Sequence, residues 1–398
     1  MTDNPAPIAT IRCMQARAVS VKYARLLVIL TIVAGCAKAG DGAGPHPPTG
    51  AVSTTSATHD EPNLAGSATA STTTSSAANM SDNTGAAGTS TTTSSAATRS
   101  TMLPSVVAST LEEAVADQVA KVAAAEQLGP LPGGTKYWTA RRAAALYGNG
   151  CHLSWGAVEP RPCAFGDLDS ETVIVITGDS HAAHWFGGFE EAAVAHGWKL
   201  VTVTKAGCPA ADVPVYSARE DLVAKGVPYT ACAAWRPRAQ RFIRSLDPDL
   251  VVFPMLTRRG VSGSPGKEAL PAWSKGLSRS IEAVRGEDTA VLILGDTPKT
   301  NGKDVPGCVA SHRDDIRACG NARSKAVFTD RLRMLEETAA THDASYLDVS
   351  DWFCGPQRCP AVIDGQVVYR DNHHLSDGFS RSLATLIAAV VEDALAAR

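Results

Sequence analysis

Residues 172–184 read TVIVITGDSHAAH, an apolar run that passes directly into a short polar turn. The run has the length of a strand and is apolar on both faces, which is typical of a strand inside a parallel sheet. Gly178 permits a tight exit from such a strand, and Asp179 and Ser180 are residue types that favour a helix N-terminus. The stretch therefore predicts a buried strand, a tight turn and a helix over residues 181–196.

Four further apolar runs of strand length follow, and helical patterns separate them. The runs cover residues 199–204, 249–256, 290–295 and 345–350, and the chain ends in a helical pattern over 377–397. Buried strands that alternate with helices indicate an α/β fold, a three-layer sandwich with a mainly parallel sheet. Such sheets place their sites at the carboxyl ends of the strands, so we expect the chemistry in the loops that follow strands.

Ser180 stands in the first of these loops and allows two interpretations. It either caps the helix or acts as a nucleophile. A helix N-terminus offers backbone N–H groups that stabilise an oxyanion. A serine hydroxyl becomes a nucleophile only when a base lies within hydrogen-bonding reach and a third group orients that base.

The residues that meet this requirement lie near the other end of the chain, in YRDNHHLS at 369–376. Two residues separate Asp371 from His374, which lets the carboxylate approach the ring and fix its tautomer. We interpret His374 as the base and Asp371 as the group that orients it. We interpret His373 as a surface loop histidine that points elsewhere.

Two more histidines, His181 and His184, follow Ser180 three positions apart. The spacing invites a metal interpretation, but no third ligand is in view, so we favour capping and packing beside the site and expect no metal and no cofactor. The turn GDTP at 295–298 resembles the first loop without its serine, and we interpret it as a strand exit that lines the cleft. A formal net charge of −3 gives no electrostatic reason to expect nucleic acid as a partner.

The N-terminus indicates export. Residues 1–36 combine a basic region with an apolar stretch over 26–35, which is shorter than the about 20 residues that span a bilayer. The ending VAGC at 33–36 resembles a bacterial lipobox, in which the cysteine, here Cys36, carries a lipid and becomes the mature N-terminus. Alternatives are an ordinary signal peptide or a short membrane anchor, and Met14 is a second possible start. We expect a lipid-anchored protein on the outer face of the cell membrane.

Residues 37–104 are rich in Ser, Thr, Ala and Gly and contain almost no large apolar side chains. Such a segment cannot bury enough surface to offset the entropy of ordering, so we predict a disordered tether. The folded domain is predicted to cover residues 105–398, with a helical lead-in over 111–128.

Eight cysteines follow Cys36 and fall into four close sequential pairs. In an exported protein, disulfides are the default interpretation, and the close Cys/His spacing of a metal site is absent. Sequence does not fix connectivity, but proximity favours Cys151–Cys163, Cys208–Cys232, Cys308–Cys319 and Cys354–Cys359.

Three stretches together carry a family resemblance: VIVITGDSHAAHW at 173–185, KAGCP at 205–209 and YRDNHHLS at 369–376. They resemble the SGNH (GDSL-like) hydrolase superfamily and, more narrowly, the extracytoplasmic SGNH domain fused to bacterial acyltransferase-3 membrane proteins, which O-acylate envelope glycans. The resemblance runs from about residue 140 to the C-terminus. It implies the flavodoxin-like SGNH fold.

The resemblance also implies roles for individual residues. Ser180 matches the nucleophile, and its N–H and that of Gly207 match the oxyanion-hole donors. Asp371 and His374 match the family's terminal Asp-x-x-His. The third family block departs from the pattern, because its expected Asn is absent and Thr257 or Arg258 stands near that position. Loss of one oxyanion donor costs about 10²- to 10³-fold in rate, so the site has another donor, is slow or is inactive.

The implied function is that of a serine esterase or O-acyltransferase that acts on acyl groups of cell-envelope glycans through an ester of Ser180. The implied partners are an acylated or acyl-accepting glycan and, for transfer, a separate membrane acyltransferase or a lipid that delivers the acyl group. The alternative is a non-catalytic glycan-binding or envelope-assembly lipoprotein on a decayed SGNH fold. The missing Asn favours this alternative, whereas Ser180, Asp371 and His374 oppose it.

Replacement of Cys36 tests the anchor. We expect the wild-type protein in the membrane fraction and Cys36→Ala in the soluble fraction, because the lipid attaches to the Cys36 thiol. Fractionation and mass spectrometry of the mature N-terminus measure this. Wild-type protein that is wholly soluble, with an unmodified Cys36, contradicts the prediction.

Overall fold

The computed structural model describes most of the predicted folded domain. The described residues are 110–217, 226–256, 260–261 and 269–398. All of them belong to one compact unit, Ala97–Arg398. The predicted signal and tether, including Cys36, lie outside the described residues.

Five parallel strands form the centre of the main sheet, in the order β4-β3-β5-β6-β8, and β1 and β2 pair with the outer edge of β4. The strands are β1 (His152–Leu153), β2 (Cys163–Gly166), β3 (Val173–Gly178), β4 (Lys199–Lys205), β5 (Leu250–Pro254), β6 (Ala290–Leu294), β7 (Asn321–Ala322), β8 (Ser345–Leu347), β9 (Arg358–Cys359), β10 (Val362–Ile363) and β11 (Gln366–Val367).

Helices cover both faces of this sheet. They are α1 (Leu111–Glu126), α2 (Ala145–Gly148), α3 (Ser180–Ala183), α4 (Phe186–His196), α5 (Thr230–Ser245), α6 (Leu270–Val284), α7 (Val305–Ser311), α8 (Arg323–Ala326), α9 (Thr329–Thr341), α10 (Asp377–Ser382) and α11 (Ala384–Ala396), with short 3₁₀ helices at Tyr137–Thr139, Ile316–Cys319 and Ser350–Trp352. None of the helices in the described part of the chain has the length and apolar character needed to cross a bilayer.

The central strands are apolar on both faces because each face packs against a different hydrophobic cluster. In β3, Ile174 and Ile176 join the cluster that includes α4 and α11, whereas Val175 joins the cluster that includes α5 and α6. Leu250 and Val251 of β5 divide between the clusters in the same way. The predicted three-layer α/β sandwich with a mainly parallel sheet is confirmed.

The strand order explains where a site can form. The chain runs from β3 outward to β4 and then crosses back to β5 on the other side of β3. The loops after β3, β4 and β5 therefore meet at the carboxyl edge of the sheet, at the point where the strand order reverses.

Two predicted helices are interrupted. The helix expected over 181–196 is divided into α3 and α4, and the one expected over 377–397 is divided into α10 and α11. The lead-in helix α1 is N-capped by Thr110, whose side chain accepts a hydrogen bond from the N–H of Glu113, while the Glu113 carboxylate accepts one from the N–H of Thr110. This reciprocal capping box satisfies two N–H groups that a helix N-terminus otherwise leaves unpaired.

The structure joins the eight cysteines of the domain as Cys151–Cys163, Cys208–Cys232, Cys308–Cys319 and Cys354–Cys359. These pairs are the ones that proximity in the sequence favours. The first ties the approach to β1 onto β2, and the second ties the loop after β4 onto α5.

Loop length predicts how much each bridge contributes to stability. Cys208–Cys232 has a sequence separation of 24 residues and Cys354–Cys359 one of 5. Chain entropy alone gives about 3.5 kcal/mol for the longer loop and about 2 kcal/mol for the shorter. We therefore expect a double Cys→Ala variant of the first pair to lose about 1 to 1.5 kcal/mol more free energy of unfolding than one of the second, in urea denaturation. A larger loss from the shorter loop, or two free thiols in the denatured, unreduced protein, contradicts this.

Candidate active site

The site begins at the turn between β3 and α3. Gly178 has a φ of 147°, and a Cβ atom there would lie 2.8 Å from the carbonyl oxygen of Pro254. Only glycine fits this conformation and this space without strain. Ser180, the first residue of α3, is half-buried at the end of the central strand.

Asp179 fixes this turn and links it to the neighbouring loop. Its Oδ1 atom accepts a hydrogen bond of 2.8 Å from the N–H of His181 and so caps α3. Both of its carboxylate oxygens also accept from the N–H of Leu256, at 3.3 and 3.2 Å, just after β5. The side chain is buried, with 1% of its surface exposed. The N-cap role follows from the sequence, but the contact with the loop after β5 does not.

Asp371 and His374 form the expected pair. Asp371 Oδ2 lies 2.7 Å from His374 Nδ1, and Asp371 Oδ1 accepts the N–H groups of His373 and His374, each at 2.8 Å. A carboxylate only accepts hydrogen bonds, so Nδ1 of His374 carries the proton and Nε2 carries the lone pair.

The Asp371 carboxylate is strongly held in its charged form. Burial by itself raises the pKa of Asp371, but the hydrogen bond from the His374 ring, the charge of that ring and the backbone N–H groups outweigh it. The pKa of Asp371 is therefore well below its usual range. The charged carboxylate holds the Nδ1–H group of His374 and so fixes the orientation and the tautomer of that ring.

Ser180, Gly207 and His374 line one cavity of about 610 Å³. Gly207 lies in the loop after β4 with a φ of 57°. The Nε2 atom of His374 is buried and has no hydrogen-bond partner among the described residues, so it is not bonded to Ser180 Oγ in this structure. Catalytic hydrogen bonds are often long without substrate and shorten when it binds, so this geometry is compatible with a nucleophile and its base.

The third family block is described only in part. Leu256 and Gly260 line the same cavity, which places the exit of β5 at the site. Thr257 and Arg258 lie outside the described residues. A substitute for the missing Asn at either position stays a prediction.

The interpretation of His373 as a surface histidine that points elsewhere is wrong. His373 lines the cavity, and its Nδ1 atom lies 3.1 Å from Nε2 of His181. His181 is buried, and its Nδ1 atom lies 3.0 Å from Oδ1 of Asp296, in the GDTP turn after β6. A chain of contacts thus runs from Asp296 through His181 to the cavity. In the sequence, Asp296 follows an apolar strand, and this position indicates that it lies at the carboxyl edge of the sheet, where sites form.

His184 has the packing role that we favoured for it. Its Nδ1 atom accepts a hydrogen bond of 3.3 Å from the N–H of Leu375, which ties the α3–α4 junction to the loop of Asp371. Burial, and then the nearby positive charges of His181 and other groups, lower the pKa of His184 well below its usual value. His184 is therefore neutral at physiological pH.

Tyr147 lines the cavity and lies in α2, before the first strand of the chain. Its hydroxyl donates a hydrogen bond of 3.1 Å to the carbonyl oxygen of Ser180. The guanidinium of Arg370 lies 4.4 Å from the centre of the Tyr147 ring, within reach of a cation–π interaction. Tyr147 therefore connects the turn of Ser180 with the loop that carries Asp371 and His374.

Lys205 supports the same wall from β4. Its buried ammonium donates hydrogen bonds of 2.7 and 2.8 Å to the carbonyl oxygens of Ser154 and Trp155, and Trp155 lines the cavity. The Nδ1 atom of His152 lies 3.0 Å from the hydroxyl of Thr204. These residues carry no local sequence signal, because their roles depend on contacts between segments about 50 residues apart.

A family model described as an SGNH domain (fused to AT3 domains) matches residues 150–389. No curated protein matches the chain.

Solved structures similar to this chain include the periplasmic domain of a lipopolysaccharide acetyltransferase from Salmonella ser. Paratyphi A, with 13% identity, 67% of this chain and 99% of that one covered, and a TM-score of 0.45. Another is a carbohydrate esterase family 2 enzyme with its carbohydrate-binding domain from Corynascus thermopiles (Myceliophthora fergusii). The identity is 14%, the match covers 57% of this chain and 67% of that one, and the TM-score is 0.36. A third is Est24, a carbohydrate acetylesterase from Sinorhizobium meliloti. The identity is 12%, the match covers 56% of this chain and 99% of that one, and the TM-score is 0.34.

The burial of His152 predicts a pH dependence of stability. Burial, and then the nearby positive charges of His374, Arg370 and Lys205, lower the pKa of His152 from 6.5 to about 4. As pH falls from about 6.5 to about 4, the unfolded chain takes up a proton that the folded chain refuses, so the free energy of unfolding falls. Linkage puts this loss at about 2 to 3 kcal/mol.

His152→Gln removes the titrating group at similar size. We expect the loss of unfolding free energy between pH 7 and pH 4 to be smaller in the variant by that amount, in urea denaturation at both pH values. His184 and Asp371 titrate in both proteins and cancel in the comparison. Parallel pH profiles for the two proteins contradict the prediction.

Proposed function

Because this chain belongs to the family of SGNH domains that are fused to AT3 domains, we propose that it is a serine acyl-transfer enzyme that acts on acyl groups of cell-envelope glycans. It works as an esterase or as an O-acyltransferase. The observation that carries this proposal is the 2.7 Å contact between Asp371 and His374, on a ring that shares a cavity with Ser180.

In the first half of the reaction, Ser180 Oγ attacks the carbonyl carbon of an acyl ester while Nε2 of His374 takes the hydroxyl proton. The oxyanion that forms accepts hydrogen bonds from the N–H groups of Ser180 and Gly207. The intermediate collapses, the bond from the carbonyl carbon to the alcohol oxygen breaks, and His374 returns the proton to that oxygen. The acyl group remains on Ser180 as an ester.

In the second half, a hydroxyl group attacks the Ser180 ester and His374 takes its proton. Water as attacker gives a free acid and makes the enzyme an esterase. A glycan hydroxyl as attacker gives a new glycan ester and makes the enzyme a transferase. In both cases His374 returns the proton to Ser180 Oγ, and the free enzyme is restored.

The walls of the cavity suit a glycan ester. Tyr147, Trp155 and Tyr216 contribute aromatic surface, and Ser217 and His152 contribute polar groups. Aromatic faces pack against the apolar faces of sugar rings, while polar groups bind the hydroxyl groups that orient them. The volume of about 610 Å³ lies in the range of small-molecule sites.

The proposal includes the setting of the enzyme. Residues 1–36 direct export, Cys36 carries a lipid, and residues 37–104 tether the catalytic domain to the outer face of the membrane. For transfer, the partner is an acyltransferase of the AT3 type that supplies the acyl group, a pairing that the fused members of the family support.

Substitutions in the proposed triad test the chemistry. We expect the protein to hydrolyse a small activated ester such as p-nitrophenyl acetate, and Ser180→Ala to lower kcat at least 10³-fold. His374→Ala is expected to lower it nearly as much, because the two residues act as a unit. Asp371→Asn leaves the ring in place with poorer orientation, so its loss is smaller. A serine-directed fluorophosphonate should label Ser180 in the wild-type protein.

His196→Ala is a matched control, because His196 pairs with Glu392 at 2.9 Å and is not among the residues that line the cavity. Its kcat should stay within about twofold of the wild type, and all melting temperatures should be compared. Full turnover by Ser180→Ala contradicts the assignment. A protein that turns over no ester and takes no label, yet binds acylated glycan, is the non-catalytic lipoprotein.

A further inference from the structure

Three histidine rings meet beside the cavity. His181 comes from α3, and His373 and His374 come from the loop before α10. One ring nitrogen of each lies within 4.8 Å of one ring nitrogen of the other two, and Nε2 of His181 is 3.1 Å from Nδ1 of His373. The sequence around His181 shows no third ligand because two of these rings lie about 190 residues further along the chain.

Two of the rings are held as metal-binding histidines are. Such histidines usually donate their second ring N–H to a carboxylate, which fixes the tautomer and the direction of the free lone pair. Nδ1 of His181 lies 3.0 Å from Asp296, and Nδ1 of His374 lies 2.7 Å from Asp371. Each Nε2 atom is therefore unprotonated when its ring is neutral.

The Nε2 atom of His374 provides a further indication. It is buried and lacks a hydrogen-bond partner among the residues that the structure describes. A buried polar atom in this state is costly and points to a ligand or to a group that binds during function.

We propose that His181, His373 and His374 bind one zinc ion and that the bound ion blocks acyl transfer. Three imidazoles and one open position are a ligand set that zinc accepts. Zn–N bonds of about 2.0 to 2.1 Å hold the nitrogens of a tetrahedral site about 3.3 Å apart. The three rings therefore have to approach one another by about 1.5 Å at most.

Zinc binding requires a proton to move within His373. In the free protein, Nε2 of His181 accepts the hydrogen bond, so Nδ1 of His373 carries a proton. When Nδ1 binds the ion, this proton passes through solvent to the other ring nitrogen. Water would occupy the remaining coordination position of the ion.

Zinc and substrate compete for one lone pair. The electron pair on Nε2 of His374 that takes up the Ser180 proton is the pair that binds the ion. A site with zinc therefore has no general base. This inhibition rests on the proposed function, whereas zinc binding itself does not.

The test uses untagged protein freed of metal by a chelator. Calorimetric titration with Zn²⁺ should show one site, and Co²⁺ should give the visible absorption of a tetrahedral site. Ser180→Ala should bind equally well, His373→Ala at least 10-fold more weakly, and Asp296→Asn 10- to 100-fold more weakly, since it orients His181. Zn²⁺ should inhibit ester hydrolysis at concentrations near its measured Kd, and a chelator should restore activity.

His312→Ala is the matched control. His312 lies near Cys308 and Cys319, but these cysteines are bonded to each other and are not ligands, so the variant should bind zinc as the wild type does. Absence of Zn²⁺ binding, or equal binding by wild type and His373→Ala, overturns the site. Stimulation of hydrolysis by zinc overturns the inhibition. Calorimetry on Ser180→Ala measures zinc binding without any ester hydrolysis, so the zinc site can be tested even if the proposed function fails.

Discussion

The buried carboxylate of Asp179 is the contact on which the site depends. It caps α3 at His181 and holds the N–H of Leu256 after β5, so one side chain joins the ends of two adjacent strands. Gly178 brings that carboxylate close to the strand end, since no larger residue fits beside Pro254. The position of Ser180 follows from these two residues, and the loop with His374 is then tied to α3 through His181 and His184. A buried acceptor with its donors in place gives a rigid turn, and it fixes the position of the Ser180 side chain.

The pair Asp371–His374 was predictable because three positions along the chain bring the two groups together. The same holds for the turn at Ser180, where strand, glycine and cap are neighbours in sequence, and for the strands, whose two apolar faces indicate helices on both sides. The contact of His181 with Asp296 joins residues 115 positions apart, and that with His373 joins residues 192 apart. No local pattern encodes such contacts. They arise only when the parallel sheet aligns its strand ends.

The cavity has a dual character. His374, which lines the cavity, is hydrogen-bonded to the ionised carboxylate of Asp371, whereas Tyr147 and Trp155 add aromatic surface to the cavity walls. His152 and His184, both with lowered pKa values, add imidazole without adding positive charge. The Nε2 atom of His374 is buried and has no hydrogen-bond partner among the described residues.

The disulfides have a consequence for the way the chain matures. Each joins consecutive cysteines, over separations of 5 to 24 residues. A chain that enters an oxidising compartment N-terminus first meets each correct partner before any later cysteine emerges. Every bridge also closes within a short segment, and the sheet is not needed to bring its thiols together. In a compartment that supplies an oxidant, pairing between consecutive cysteines leaves fewer wrong pairs to reshuffle than pairing between distant cysteines does.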